Sequence, residues 1–382
     1  MEKTTDKPKV TCVLYGTLQH RGRLLKQIAA LQAEGVECDL IYGDRGELPL
    51  DKNDFNFPIK VIPTPAEGHP LLLFIRQLRF CYKASKLIAK SDATHALCFS
   101  LTTALAGVLA KRKRRGLKAI FDSNELHIES FINPMKKRLW GMVQKYCVPR
   151  CDVIMHAEGN RLEYFKKHHE PGERTHFLLE NFPYSIPRDS LRAKPEKPPV
   201  RVLYVGVMGP DRFTRELVDI FRKLAPKYSL DFVGPMSAEF RKELDDKLDS
   251  DPAPNIRILP AIPHGEMSNL IQDYHVGIAL YRNDNLCNYY CAPNKVYDYI
   301  MNGVAVLAND YPGLLQVLEG DGVGACVENV DYENFSTALD KIVNENRWDN
   351  ITEELRHKYS WEAQNPGYLD LYGIKGNREL DK

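Results

Sequence analysis

Short apolar runs alternate with stretches of helical periodicity along almost the whole chain, and this alternation restricts the fold more than any other feature. Residues 10–15 form an apolar run, 24–31 carry helical spacing, Gly35 breaks the pattern, and 36–42 are apolar again. Comparable runs recur at 60–62, 95–99, 119–121 and 153–156. Such alternation predicts parallel sheets covered by helices on both faces. A chain of 382 residues exceeds what one hydrophobic core usually supports, so two domains are expected. Residues 185–199 are rich in proline and charge and read as a linker, after which a second series of runs begins at 200–206 and ends at 324–327. The expected organisation is therefore a first domain over 1–184, the linker 185–199, a second domain over 200–358, and a last helix and tail over 359–382. Two doubly wound, Rossmann-like α/β domains place ligands at the carboxyl ends of their strands, in a cleft between them.

Composition narrows the function classes. Lys plus Arg number 52 against 51 Asp plus Glu, so any basic patch must be local, and a general nucleic-acid binder is not expected. The nine cysteines include no CxxC pair and no histidine at zinc spacing, which fits reduced thiols of the cytosol. The polar start of the chain lacks the apolar region of a signal peptide, and no stretch reaches the roughly 20 apolar residues of a membrane span.

The most informative local segment runs from Ala292 to Leu307. Pro293 can open a helix, Asn294, Lys295 and, one turn later, Asp298 follow, and Gly303 closes the helix before a β-branched strand. A helix N-terminus attracts phosphate, Lys295 adds a positive charge, and Asp298 can accept hydrogen bonds from ribose hydroxyls. The same residues also serve as ordinary helix punctuation, so the nucleotide-sugar reading depends on context.

That context resembles the GT-B glycosyltransferases and, within them, the large retaining family four. The resemblance covers nearly the whole chain. It is carried by Leu203-Tyr-Val-Gly206, Asp273-Tyr-His-Val-Gly-Ile-Ala-Leu280 and Pro293-Asn-Lys-Val-Tyr-Asp-Tyr-Ile-Met-Asn-Gly303 in the second half. In the first half it rests on Arg21-Gly-Arg23, Asp122-Ser-Asn-Glu125 and Asn181-Phe-Pro183, and Trp361 looks like the start of the family's last helix, which crosses back to the first domain. The resemblance implies an acceptor-binding first domain, a second domain holding a UDP-sugar, retention by front-face attack, and no metal or other cofactor. Arg212, in the loop that includes Gly209, matches the family's diphosphate-binding arginine. The usual lysine after it is absent, and Arg215 or Lys295 takes its place. Asp298 stands for the family's ribose-binding glutamate. The acidic partner eight positions earlier is replaced by Tyr290, which leaves the sugar contact to Asn294 or nearby amides.

In the first domain, the loop Gly16-Thr17-Leu-Gln-His-Arg21-Gly22 joins strand to helix without a dinucleotide fingerprint. Gly16, Thr17 and Arg21 are candidates for donor or acceptor binding, and the loop reads equally as a plain turn. Glu125 and His127 follow a strand at its carboxyl end and are candidate catalytic groups, beside the carboxylate of Asp122. His127 is displaced from the family's histidine position, where Asn124 stands.

Two basic clusters, Lys111-Arg112-Lys113-Arg114-Arg115 and Lys136-Lys137-Arg138 with Leu139 and Trp140, are expected to share one face and to hold the protein on an anionic membrane. The expected protein is a cytoplasmic glycosyltransferase, peripheral on the inner membrane face, that moves a hexose-type unit from a UDP-sugar to a lipid-linked or glycan acceptor. Alternatives are a nucleotide-sugar epimerase or hydrolase of the same fold, and a non-catalytic nucleotide-sugar-binding protein.

Overall fold

The computed structural model describes residues 7–131, 133–169, 174–194, 198–291 and 293–375. Ala292, residues 195–197 of the expected linker and 376–382 of the tail lie outside them. The chain divides into two compact units, one of residues 1–180 with 364–382 and the other of 181–363.

The first unit contains β1 (Lys9–Tyr15), α1 (Gly22–Ala33), β2 (Glu37–Asp44), β3 (Ile59–Pro63), α2 (Pro70–Lys90), β4 (His95–Phe99), α3 (Leu101–Lys113), β5 (Lys118–Ser123), α4 (Pro134–Cys147), β6 (Val153–His156), α5 (Gly159–His169) and β7 (Thr175–Leu178). Its seven strands are parallel in the order β3-β2-β1-β4-β5-β6-β7. The order reverses direction between β1 and β4, which pair from Val10 with His95 to Val13 with Cys98. The central strand β4 is buried throughout because helices cover both faces, and after His95 its sequence is accordingly a continuous apolar run rather than an alternating one. Edge strand β7 has no buried residue, and its short sequence Thr-His-Phe-Leu carries no apolar run, so sequence periodicity misses it.

The second unit contains β8 (Val200–Val205), α6 (Thr214–Leu224), β9 (Tyr228–Val233), α7 (Ala238–Ser250), β10 (Ile256–Leu259), α8 (His264–Ile271), β11 (Val276–Ala279), α9 (Leu286–Tyr289), α10 (Asn294–Met301), β12 (Ala305–Asn309), α11 (Pro312–Leu318), β13 (Gly324–Val327), α12 (Tyr332–Asn344) and α13 (Glu353–Lys358). Its six parallel strands run β10-β9-β8-β11-β12-β13, with the reversal between β8 and β11. Helix α6 shows why these helices dock: Leu217, Val218, Ile220, Phe221 and Leu224 form its buried face, while Arg222 and Lys223 remain outside it.

The proline-rich segment packs on the second unit. Arg192 pairs with Asp273 at 2.8 Å, and its backbone N–H donates to Gln272 Oε1 at 3.1 Å. The last helix, α14 (Trp361–Asp370), begins where Trp361 N–H donates to Pro183 O at 2.7 Å, and farther along Gln364 exchanges hydrogen bonds with the backbone of Glu180. Among the described residues no helix is long and apolar enough to cross a membrane.

Candidate functional site

In the second unit the reversal of strand order separates the loops that follow β8 and β11, and such a switch point is where doubly wound sheets bind ligands. After β8, Gly206 adopts φ +128° and Gly234, after β9, adopts φ +147°. A Cβ on Gly234 would lie 2.1 Å from Gly206 O, so the backbones of these two loops meet at a distance only glycine permits. The chain then turns through Gly209, whose N–H donates to Thr214 Oγ1 at 3.2 Å and whose carbonyl accepts from that hydroxyl at 3.1 Å. Arg282 fastens the same turn by donating to Pro210 O at 3.0 and 2.8 Å and pairing with Glu216.

Tyr281, two residues after the end of β11, joins the two cations expected from sequence. The Arg212 guanidinium lies 5.1 Å from its ring centre, and Lys295 Nζ lies 5.1 Å from that ring and 4.5 Å from the ring of Tyr204. Backbone contacts hold Tyr281: its N–H donates to Asn309 Oδ1 at 2.7 Å, and its carbonyl accepts from Tyr311 OH at 2.6 Å. No carboxylate pairs with Lys295 among the described residues. Burial, and then the neighbouring Arg212 charge, push its ammonium pKa down to about 7. Arg215, the other candidate for the missing lysine, is instead held by Glu243 of α7 through two of its nitrogens. A surface ion pair thus removes Arg215 from the site, and Lys295 remains.

Pro293 is the N-cap of α10 rather than its first residue, and no side chain caps the helix. Asn294 accepts at Oδ1 from Asn181 Nδ2 at 2.8 Å, tying the helix start to the chain entering the unit. Asp298 lies one turn into the helix and is partly exposed. Gly303 closes the helix at φ +68°, with its N–H donating to Ile300 O and that of Val304 to Tyr299 O. Tyr290 ends α9 and packs edge-on against Tyr289 with ring centres 4.9 Å apart.

The first unit has its own pocket, of about 480 Å³, at the reversal between β1 and β4. Arg21, Glu125 and His127 all line it. The Arg21 guanidinium stands over the Phe99 ring at 5.8 Å, and Gly16 at φ +124° leaves room beside it. His127 meets the rings of Phe131 and Trp140 edge-on at 4.9 and 5.4 Å, and burial pushes its pKa down to about 4, so its imidazole is neutral at pH 7. Glu125 is exposed at the pocket wall. Thr17 points its hydroxyl elsewhere, donating to Glu47 at 2.8 Å. Asp122 is also set apart: fully buried, it accepts from Arg23 Nε and Nη2 at 2.9 Å each and from Gln27 Nε2 at 2.7 Å. Its carboxylate is held within the unit by this buried ion pair. Sequence reading missed Gln77 and Phe74 of α2, which reach the pocket only because α2 packs beside the carboxyl ends of the strands.

The two basic clusters do not share a face. Helix α3 ends at Lys113, near the amino ends of the strands, where Lys111 pairs with Asp152 at 2.6 Å and Arg112 donates to Tyr146 OH at 2.7 Å. Lys113 donates to Ser85, and Arg114 to the carbonyls of Ser91 and Ala93. Lys136 instead sits in the first turn of α4, at the carboxyl ends. The 14 residues of α4, at about 1.5 Å each, separate its ends by roughly 20 Å.

Comparison with known proteins agrees with this architecture. Residues 187–365, nearly the whole second unit, match the family model of the glycosyl transferases group 1. The fold is similar to sucrose-phosphate synthase from Thermosynechococcus elongatus, at 15% identity and TM-score 0.70 over 96% of this chain and 98% of that one. It is equally similar to a glycosyltransferase from Rickettsia africae, at 15% identity and TM-score 0.71 over 96% and 98%. Anabaena HepE, solved in complex with UDP-glucose, matches at 11% identity and TM-score 0.70 over 96% and 99%. No curated protein sequence matches the chain. The fold is therefore GT-B, with two Rossmann-like units, and these findings support a glycosyltransferase.

Proposed function

We propose that the protein transfers a hexose-type unit from a UDP-sugar to a lipid-linked or glycan acceptor with retention, as a member of the family-four type. One observation carries the reading. Lys295, without a carboxylate partner, and Arg212 flank Tyr281 at the switch point of the domain that matches the glycosyl transferases group 1 model. Departure of a nucleoside diphosphate leaves growing negative charge on the β-phosphate, and two fixed cations in a partly desolvated site stabilise that charge most where it develops. They supply the role that a divalent metal fills in other transferases, so no metal is required in this reading. Asp298 accepts from the ribose hydroxyls. The acceptor occupies the pocket of Arg21, Glu125 and His127, and Glu125 is the one carboxylate among these three able to take its proton. No disulfide joins cysteines among the described residues, which accords with a cytoplasmic protein working at a membrane surface.

Incubation with a panel of nucleotide sugars and lipid-extract acceptors, followed by mass spectrometry, tests the reading. A transferase releases nucleoside diphosphate in proportion to a new glycoside. Conversion of the donor alone marks an epimerase or hydrolase, and neither product marks a binding protein. Loss of turnover with a chelator would overturn the metal-free mechanism.

A further inference from the structure

Five residues that line the first-unit pocket described above each carry a buried polar atom without a hydrogen-bond partner: Arg21 Nε, Arg45 Nε, Gln77 Nε2, Asn124 Oδ1 and His127 Nε2. Gln77 is only 8% exposed. Buried polar atoms in folded proteins are nearly always hydrogen-bonded, so five gathered in one place mark groups meant to meet a ligand. Three of the five are N–H donors, and they call for acceptor oxygens. Arg21 makes no ion pair among the described residues, Arg45 pairs with Glu47 at 3.0 Å, and Lys136 adds a further cation at the wall, so an anionic oxygen cluster fits this end.

Another part of the wall differs in kind. Helices α2 and α4 meet through Phe74 and Trp140, whose rings contact edge-on at 5.2 Å. Beside that contact, Leu71 and Met135 line the pocket while remaining 47% and 67% exposed. Leu72 and Ile75, next to Leu71 on α2, are 41% and 38% exposed. Exposed apolar side chains clustered at the mouth of a polar pocket mark an interaction site.

We propose that this pocket binds the head of an anionic amphiphile, with its single apolar tail leaving over the α2–α4 rim. On the glycosyltransferase reading, on which the word acceptor rests, the acceptor is therefore a lipid carrying a hydroxylated, negatively charged head. The membrane contact belongs to the starts of α2 and α4, not to the cation run at 111–115.

The test titrates the full chain with three probes below their micelle concentrations: dodecyl phosphate, dodecyl maltoside and glucose 1-phosphate. Trp140 fluorescence reports occupancy, and Trp140→Phe identifies its share of the signal. Dodecyl phosphate is expected to bind at least about tenfold tighter than either other probe, since it alone satisfies both parts of the wall. Combined Leu71→Gln and Met135→Gln should weaken dodecyl phosphate about fivefold or more and leave glucose 1-phosphate unchanged, while Arg21→Gln should weaken both phosphates. Equal binding of glucose 1-phosphate overturns the lipid tail, and equal binding of dodecyl maltoside overturns the anionic head. Binding of UDP is measured on the same samples. If UDP binds and dodecyl phosphate does not, the amphiphile site falls while the donor reading stands; if UDP also fails, the donor reading falls with it.

Discussion

The ring of Tyr299 fills the space that a side chain on Gly277 would need: a Cβ there would lie 2.4 Å from the ring carbons. Through this fit the phenol of α10 reaches β8, where its oxygen accepts from Val205 N–H at 3.0 Å and donates to Leu203 O at 3.2 Å. The helix that carries Lys295 and Asp298 is thereby locked to the strand that leads to Arg212. Gly277→Ala is expected to destabilise the second unit by about 1–3 kcal/mol, the usual result of overpacking a core. Urea unfolding checks this, and nucleotide affinity should fall with it because α10 must shift.

Lys295 supplies a proton-linked signature. Its folded pKa lies near 7, pushed down mainly by burial and then by Arg212, so at pH 8 most molecules hold it neutral. A bound diphosphate favours the ammonium, and UDP binding at pH 8 should take up close to one proton. Calorimetry in buffers of different ionisation enthalpy measures the uptake, which Lys295→Met should abolish. The linkage also has a stability side. A depressed lysine pKa means that folding penalises the charged form, a penalty that grows as pH falls from the unfolded value near 10.5 to about 7 and is constant below. Lys295→Met should therefore raise stability at pH 6–7 by upwards of about 1.4 kcal/mol, the worth of one pKa unit, while turnover is lost.

Asp298→Asn removes a charged acceptor proposed for ribose. It should weaken UDP by about 1.5–3 kcal/mol and leave the unfolding midpoint nearly unchanged. Calorimetric affinity equal to that of the unmodified protein would remove Asp298 from the site.

Arg212→Ala should lower turnover by more than it alters stability, because the charge it meets is largest in the transition state. Tyr281→Leu is expected to reproduce part of that loss by releasing both cations, whereas Tyr281→Phe keeps the ring and most of the rate. Similar rates for the Leu and Phe variants would show that the ring does not position them.

Asp122→Asn should act on folding, not chemistry. The substitution breaks a buried pair with Arg23, leaving a guanidinium 5% exposed without its counter-charge, and such losses cost about 3–5 kcal/mol. A fully stable Asp122→Asn protein with impaired transfer would return this carboxylate to the acceptor site.

Much of the second unit's candidate site was legible because its signals are local. Helix punctuation, a lysine in the first turn and a carboxylate one turn later can be read within one segment, and the glycine after α10 announces its end. Tyr281 was not legible in this way, since its role depends on β11 lying beside β8, and strand order is not written in periodicity. The edge strand β7 escaped for the opposite reason, its half-exposed residues giving no apolar signal.

Alternation of apolar runs and amphipathic helices by itself determined two parallel, doubly wound sheets, because each strand buried on both faces must be apolar throughout and each covering helix must be apolar on one side. Only the tertiary structure decided which charges are spent and which are available. Arg23 meets Asp122 across 99 residues, Arg215 meets Glu243 across 28, and four cations of the run at 111–115 find partners on neighbouring elements. Lys295 faces rings instead of a carboxylate, and Gln77 joins Arg21, Asn124 and His127 in one pocket. Charge pairing and pocket lining are set by distances between residues far apart in sequence, and packing alone fixes those distances.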